Sequence, residues 1–472
     1  METQGNLVGG AWRGEGRSHE VRSPYDGAAV ARVALAGPEI LDAAVRAAVG
    51  AQPAMAALSR EARASILERM AHAVAAQAEE LGQLIRRESG KPITYARIEA
   101  ARAVDTLRAS ADAARALAGA EVPLDAARAG EGRLGFTRRF PVGPIASITP
   151  FNFPLNLVAH KVGPAIAAGC ANVLKPASAT PLSALALARI ALEAGLPPGG
   201  LNVVCCDRQT GQRLVEDDRL RLLTFTGSAE VGWSMKRDAG RKKVVLELGG
   251  NAAAIVLPDA DVERAAARIA AGGFAQAGQS CISVQRVIVH ADAHDRLREA
   301  LIAATKATPS GDPALAETVA GPLIDRGNAE RVMRWIDEAK EAGGQVLAGG
   351  EREGSVVTPT LLDEVPRPAK VVAEEVFGPV IVLQRAASVD EAIALAGDTR
   401  FGLQCGIFTR DLGAILRAWD AIEVGGLIHD DVPAFRVDLM PYGGVRDSGM
   451  GREGPRYTVE EMTEPRILVM KR

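Results

Sequence analysis

Val244-Val245-Leu246-Glu247-Leu248-Gly249-Gly250-Asn251 is an apolar run that meets a single carboxylate and then breaks on two glycines. A short apolar run bounded by glycine reads as a strand buried inside a parallel sheet. Upstream, the runs 145–149, 171–174, 201–205 and 221–225 have the same character, and helical stretches separate them. Strand–helix alternation at this spacing implies a parallel sheet with helices on both faces. After Gly250 a second alternating series begins, from 252–257 through 424–428. The expected fold is α/β: two doubly wound α/β domains plus a small β element. Glu247 falls at the boundary between the domains, where a cleft is expected.

The remainder of the chain is read outward from that boundary. Its 472 residues exceed one ordinary hydrophobic core. The first third reads helical. Over 59–89, Ile66, Leu67, Met70, Val74, Leu81, Leu84 and Ile85 recur at helical spacing, and Gly90 and Pro92 stop the run. A second helix is expected over 96–117, and Thr180-Pro181 reads as a helix start capped by Thr180. Two stretches stand apart, 122–140 and the tail from 455. Phe136-Thr137-Arg138-Arg139-Phe140 alternates like a strand, and a protruding hairpin that pairs with the tail of another subunit accounts for both. The expected division is 1–120 with 141–248, then 249–440, with 121–140 and 455–472 forming an oligomerisation element of a homodimer or homotetramer.

Composition excludes several classes. Hydrophobic residues make up 47% and charged residues 24%, which argues against disorder. A net charge of -3 gives no field favouring nucleic acid or a membrane surface. The five cysteines are scattered with no Cys-x-x-Cys pair, so neither a disulfide framework nor a metal site is expected. Met1-Glu2-Thr3-Gln4 lacks the basic start of a signal peptide, and His160, Lys161 and Pro164 interrupt the most apolar window. A cytoplasmic protein is expected.

Three residues carry the chemistry. Cys281 lies in Gly278-Gln279-Ser280-Cys281-Ile282-Ser283. A lone cysteine is usually a small buried hydrophobe, but small neighbours let the backbone turn and a substrate approach. Glu247 at a strand end is either a solvated acid or a general base whose pKa is raised by an apolar site. Asn152, between Pro150 and Pro154, is either turn chemistry or an amide N–H aimed at a developing oxyanion.

Together these three resemble the active site of the aldehyde dehydrogenase superfamily. The Asn-Phe-Pro turn, Glu-Leu-Gly-Gly-Asn and Gly-Gln-Ser-Cys occur in the family's order. Glu374-Glu375-Val376-Phe377-Gly378-Pro379, Pro441-Tyr442-Gly443-Gly444 and Ser448-Gly449-Met450-Gly451-Arg452-Glu453 follow in register, so the resemblance covers nearly the whole chain. Phe151 stands where many relatives carry Trp. The tail 429–438 is similar to the branch of phosphonoacetaldehyde and lactaldehyde-type enzymes. The resemblance implies a Rossmann-like cofactor domain and a catalytic thiol domain. It also implies that the Cys281 thiolate attacks an aldehyde, that Asn152 and the Cys281 amide hold the oxyanion, and that hydride leaves to a nicotinamide. Glu247 then activates water against the thioester. Relatives that pass the acyl group to coenzyme A typically lack this Glu. Two other readings stay open at this point: a thiol acyl-transfer enzyme or esterase without redox turnover, and a retired enzyme kept as a binding protein.

Gly449-Met450-Gly451-Arg452-Glu453-Gly454 fits G-x-G-x-x-G by letter, but it follows no apolar strand and is rejected as a dinucleotide motif. Phe225-Thr226-Gly227-Ser228 follows a strand and opens a helix, a setting suited to a pyrophosphate. The resemblance assigns Gly227 and Ser228 to the cofactor, Lys175 to the adenosine ribose, Glu375 to the nicotinamide ribose, and Phe377 to the nicotinamide. Ser178 stands where NAD-preferring relatives often carry Glu. Without that repulsion of a 2′-phosphate, NADP is the expected cofactor, with NAD the alternative. By the same resemblance Leu157 and His160 line the substrate tunnel and Arg436 reaches it, with Arg102 a further candidate. Two potential cations suggest a short anionic or hydroxylated aldehyde. The competing reading pairs Arg436 with Asp438 or Asp430 and leaves His160 as a satisfied core residue.

Overall fold

The computed structural model describes residues 3–14 and 16–472. The first sheet has eight strands. Its five central strands, in spatial order Lys243–Glu247, Leu222–Thr226, Ile145–Ile148, Asn172–Lys175 and Leu201–Val203, are parallel. The second sheet has seven strands, parallel except for Gln345–Ala348 at one edge, with Ala253–Val256 and Arg286–His290 near its middle. Helices cover both, which gives the expected α/β fold with two domains. The parallel strands are apolar because both faces are covered: Ile145–Ile148 and Ala253–Val256 are buried throughout.

Register places the chemistry. Glu247 ends its strand opposite Thr226 and Gly449. Ile148 pairs with Lys175 on the neighbouring strand, so the segments carrying Asn152, Lys175, Gly227 and Glu247 all leave the carboxyl edge of one sheet. Ligands of open parallel sheets bind at that edge. The strand Gly449–Met450 returns from the C-terminal region to pair with Lys243–Glu247. Ser448 anchors the return: its Oγ donates to Gly249 O at 2.7 Å and accepts from Gly402 N at 2.9 Å, while its carbonyl accepts from Leu248 N at 3.0 Å.

The structure corrects four expectations. The 59–89 stretch is two helices, Arg60–Ala76 and Ala78–Ser89, because Gln77 (φ −105°, ψ 15°) leaves helical geometry between them. The first third also begins with short strands, before a helix Pro38–Ala57. Thr180 does not cap Leu182–Glu193. The buried Glu88 carboxylate accepts from Leu182 N and Ser183 N at 2.8 and 2.9 Å instead, doing the capping from another helix. The tail strand Thr463–Lys471 pairs antiparallel with Arg133–Pro141 of its own chain, over nine residue pairs.

Candidate active site

A cavity of about 670 Å³ opens along the carboxyl edge between the two sheets. Asn152, Glu247 and Cys281 line it together, joined by Gly227, Ser228, Glu375 and Phe377 and by Leu157, Arg102 and Arg436. Lys175 and Ser178 lie outside this cavity, at and just beyond the end of the strand Asn172–Lys175, where Ser178 is exposed. His160 does not line it either. It is fully buried behind the wall, which corrects its placement in the tunnel.

The backbone before Cys281 is strained. Gln276 (φ 44°) and Ala277 (φ 58°) are left-handed without being glycine, and Gly278 (φ 67°) follows. Such residues persist only where the surroundings over-determine them. Gln276 Nε2 donates to Gln279 O at 3.1 Å, and Gln279 Nε2 donates back to Gln276 O at 3.2 Å and to Pro322 O. At Gly278 a Cβ would meet Gly378 O at 2.1 Å, so only glycine fits there. This clamp aims Cys281 into the cleft.

Asn152 Nδ2 donates to Gln279 O at 3.0 Å, which ties the turn between Pro150 and Pro154 to the loop that carries Cys281. One Nδ2 hydrogen makes that bond and the other remains for a substrate oxygen. The turn is held from below by Glu99, whose carboxylate accepts from Leu155 N and Asn156 N and is itself paired with the buried Lys91.

The half-buried Cys281 thiol is pushed up to about 12 by desolvation, against the Tyr442 hydroxyl 2.9 Å away and the Arg436 charge, both of which favour the thiolate. Glu247 is 2% exposed and neither carboxylate oxygen has a protein partner. Burial first, and then repulsion from Glu453, raise it well above the ordinary carboxylate range. A carboxyl raised by an apolar site has the character expected of a general base.

The wall beyond is a charge network. Glu453 is joined to Lys161 at 3.3 Å and to Arg436 at 3.2 Å, and Lys161 also donates to Thr224 at 2.9 Å. Burial opposes ionisation of Glu453, but Lys161, His160 and Arg436 hold it down to about 2. Asp438 accepts from Arg102 at 2.7 Å and lies 2.9 Å from His160 Nε2. Burial and the nearby Arg436 lower His160, against the pull of Asp438 and Glu453. The competing reading of Arg436 therefore holds in part: its main anion is Glu453, with Asp438 at 3.9 Å, while Asp430 pairs with Arg264. The Arg436 Nε is buried with no hydrogen-bond partner, Asp438 lying beyond bonding range of it. Glu453 and Tyr442 took no part in the functional reading of the sequence. Both stand in motifs that carried the resemblance, and an acid amid glycines was the available signal.

Residues at the other end of the cavity fit a dinucleotide. The helix Ala229–Asp238 has Ser228 at its N-cap with no side-chain cap, so its first N–H groups are open to an anion. Thr226 Oγ1 is buried without a partner beside them. Glu375 accepts from Gly250 N at 2.9 Å, and burial raises it to about 7. A Cβ on Gly249 would meet Glu375 Oε2 at 2.3 Å. Phe377, at φ 48°, is held edge-to-face on Phe151, with ring centroids 5.8 Å apart.

The model of the aldehyde dehydrogenase family matches residues 12–468. The chain belongs to that family. The 3-sulfolactaldehyde dehydrogenase of Priestia aryabhattai is 43% identical over 471 residues, 100% of this chain and 98% of the relative. Among solved structures, aldehyde dehydrogenase 21 of Physcomitrella patens, in complex with the reaction product succinate, superposes with a TM-score of 0.97 at 42% identity, covering 100% of this chain and 98% of that one. The NADP-dependent glyceraldehyde-3-phosphate dehydrogenase of Bacillus halodurans C-125, complexed with NADP, gives 0.97 at 32% identity, with all of both chains covered. This aldehyde dehydrogenase is thus an oxidoreductase, and the readings as a non-redox thiol enzyme or a retired binding protein fall away. Among the described residues no helix is long and apolar enough to cross a membrane.

Proposed function

We propose that the enzyme oxidises a short aldehyde carrying an anionic or hydroxylated group to its carboxylate, through covalent attachment at Cys281. The Cys281 thiolate adds to the carbonyl, and Asn152 Nδ2 donates to the oxygen as charge develops. A bound nicotinamide supplies the hydride acceptor, seated by Gly227, Ser228, Glu375 and Phe377, with Lys175 at the adenosine ribose. Glu247 then takes a proton from water, which attacks the thioester and releases the acid.

The observation carrying the substrate reading is the wall of Arg102, Arg436 and Lys161. Arg102 and Arg436 line the cavity and, with Lys161 buried behind them, meet two paired anions, Asp438 and Glu453, while burial disfavours charge on Glu247. The surplus charge and the unpartnered Arg436 Nε suit a carboxylate, sulfonate or phosphonate. The relatives named for sulfolactaldehyde and solved with succinate support the same class. The test compares propanal with succinic semialdehyde, sulfolactaldehyde and phosphonoacetaldehyde. Arg102→Ala and Arg436→Ala should each raise KM for the anions by about 10- to 100-fold more than KM for propanal, the loss of a charge-assisted hydrogen bond. Unchanged KM values for the anions in both variants sink the reading.

NADP is the preferred cofactor in this reading, because exposed Ser178 presents no negative charge where a 2′-phosphate would approach. Ser178→Glu should lower kcat/KM for NADP relative to NAD by about tenfold or more, a single close like-charge contact. A wild-type enzyme that favours NAD, or a variant that leaves the ratio unmoved, rules this out.

A further inference from the structure

Tyr442 is 3% exposed, and its hydroxyl faces the nucleophile, with Cys281 Sγ 2.9 Å away. The ring is fixed independently of that contact. Ile282 and Leu403 pack with it, the Arg436 guanidinium lies 3.7 Å from its ring centroid, and its backbone exchanges hydrogen bonds with Glu453 in both directions at 3.0 and 2.6 Å. A phenylalanine would fill the same space, so packing does not account for the hydroxyl. A buried hydroxyl costs free energy unless it is paired, and here its partner is the reacting sulfur.

A thiol and a phenol can share one proton position in two ways. If S–H donates, the contact stabilises the resting thiol. If O–H donates, it stabilises the thiolate. An O–H is the stronger donor of the two. The Arg436 cation on the ring face further favours negative charge on the sulfur side. We propose that Tyr442 is a catalytic residue of this dehydrogenase, its O–H donating to the Cys281 sulfur and stabilising the thiolate before attack. The phenol keeps its proton throughout, and the thiol proton leaves by way of solvent. The other ionisable groups facing the sulfur are Arg436, which favours the thiolate, and Glu375 and Glu247, which oppose it when ionised.

This inference rests on Cys281 being the nucleophile, and its main readout needs neither aldehyde nor cofactor. The rate of Cys281 alkylation by iodoacetamide is followed against pH in wild type and Tyr442→Phe, with the labelled residue identified by mass spectrometry. The midpoint should rise by about one pH unit or more in the variant, the effect of losing one hydrogen bond to a charged group. An unchanged or lowered midpoint overturns the proposal, a lowered one meaning that the thiol is the donor. Should Tyr442→Phe fail to fold, replacing the four tyrosines with 3-fluorotyrosine makes the phenol a stronger donor in nearly the same volume. The midpoint should then fall, and a rise or no change counts against the idea. Cys281→Ser separates the two readings. Turnover retained in that variant removes Cys281 as nucleophile, whereas turnover lost alongside a null alkylation result removes Tyr442 alone.

Discussion

Glu247→Gln should leave a burst of reduced cofactor of about one equivalent per active site, followed by turnover slowed by roughly 10²- to 10⁴-fold, the usual worth of a general base. The burst distinguishes the role. Glu247 has no hydrogen bond to Cys281, Asn152 or the cofactor end of the cavity, so its amide should spare acylation and stop hydrolysis. Rapid mixing with an aldehyde, read at 340 nm, gives both phases. A variant with no burst would place Glu247 before hydride transfer and refute the assignment. The pH dependence follows from the direction of the shift. Burial and Glu453 raise the Glu247 pKa, and the base works only when ionised, so hydrolysis should climb with pH through a value above the ordinary carboxylate range. That ascending limb should be missing from Glu247→Gln.

Glu453→Gln should produce the largest loss of stability among the site residues. It removes the anion that Lys161 and Arg436 share in a fully buried setting, and breaking such a pair costs about 3–5 kcal/mol. The acid dependence gives a second readout. Glu453 is held down to about 2 in the folded enzyme, below its ordinary value of 4.5. Its contribution is therefore fully present above the unfolded value and is lost as pH falls towards the folded one. Urea unfolding at pH 7.5 and pH 4, about neutrality and just below the ordinary carboxylate value, should show a smaller pH effect in the variant than in wild type. Glu247 responds as well. With Glu453 neutral, its main repulsion disappears while Lys161 and Arg436 remain, so the hydrolytic limb should move to lower pH. A variant as stable as wild type, with an unmoved limb, would show that the network carries neither effect.

The parts of this molecule legible from the sequence are those set by apolar runs and short motifs. The strand ending at Glu247 announced itself because a parallel strand must be apolar on both faces, and a lone acid there has to be explained. Cys281, Asn152 and the Thr226–Ser228 turn were weaker signals singly and stood out through the motifs they share with the family. The rest depends on partners distant in sequence. Nothing local shows that Glu88 caps a helix beginning 94 residues later. Gln276 and Ala277 are not residues that advertise left-handed geometry, and only their tertiary hydrogen bonds enforce it. His160 shared a helix face with Leu157, but that helix is buried on every side, so a shared face did not mean a shared cavity. Arg436 looked like a free cation because Glu453, 17 positions on, sat inside a glycine motif already rejected for another purpose.

The return strand Gly449–Met450 has a further consequence. The chain leaves the first sheet just after Glu247 and comes back beside it, so everything between is an insertion whose two ends are moored on adjacent strands. Ser448 is the clasp, holding Gly249 on the way out, Gly402 inside the insertion, and Leu248 at the root. Two adjacent strands moor this body along one line, so any displacement relative to the first sheet is smallest beside them. Glu247 lies on that line, where the displacement is least. The gap between Glu247 and the thiol is thus set by the mooring, whatever the outer rim of the cleft does as ligands come and go.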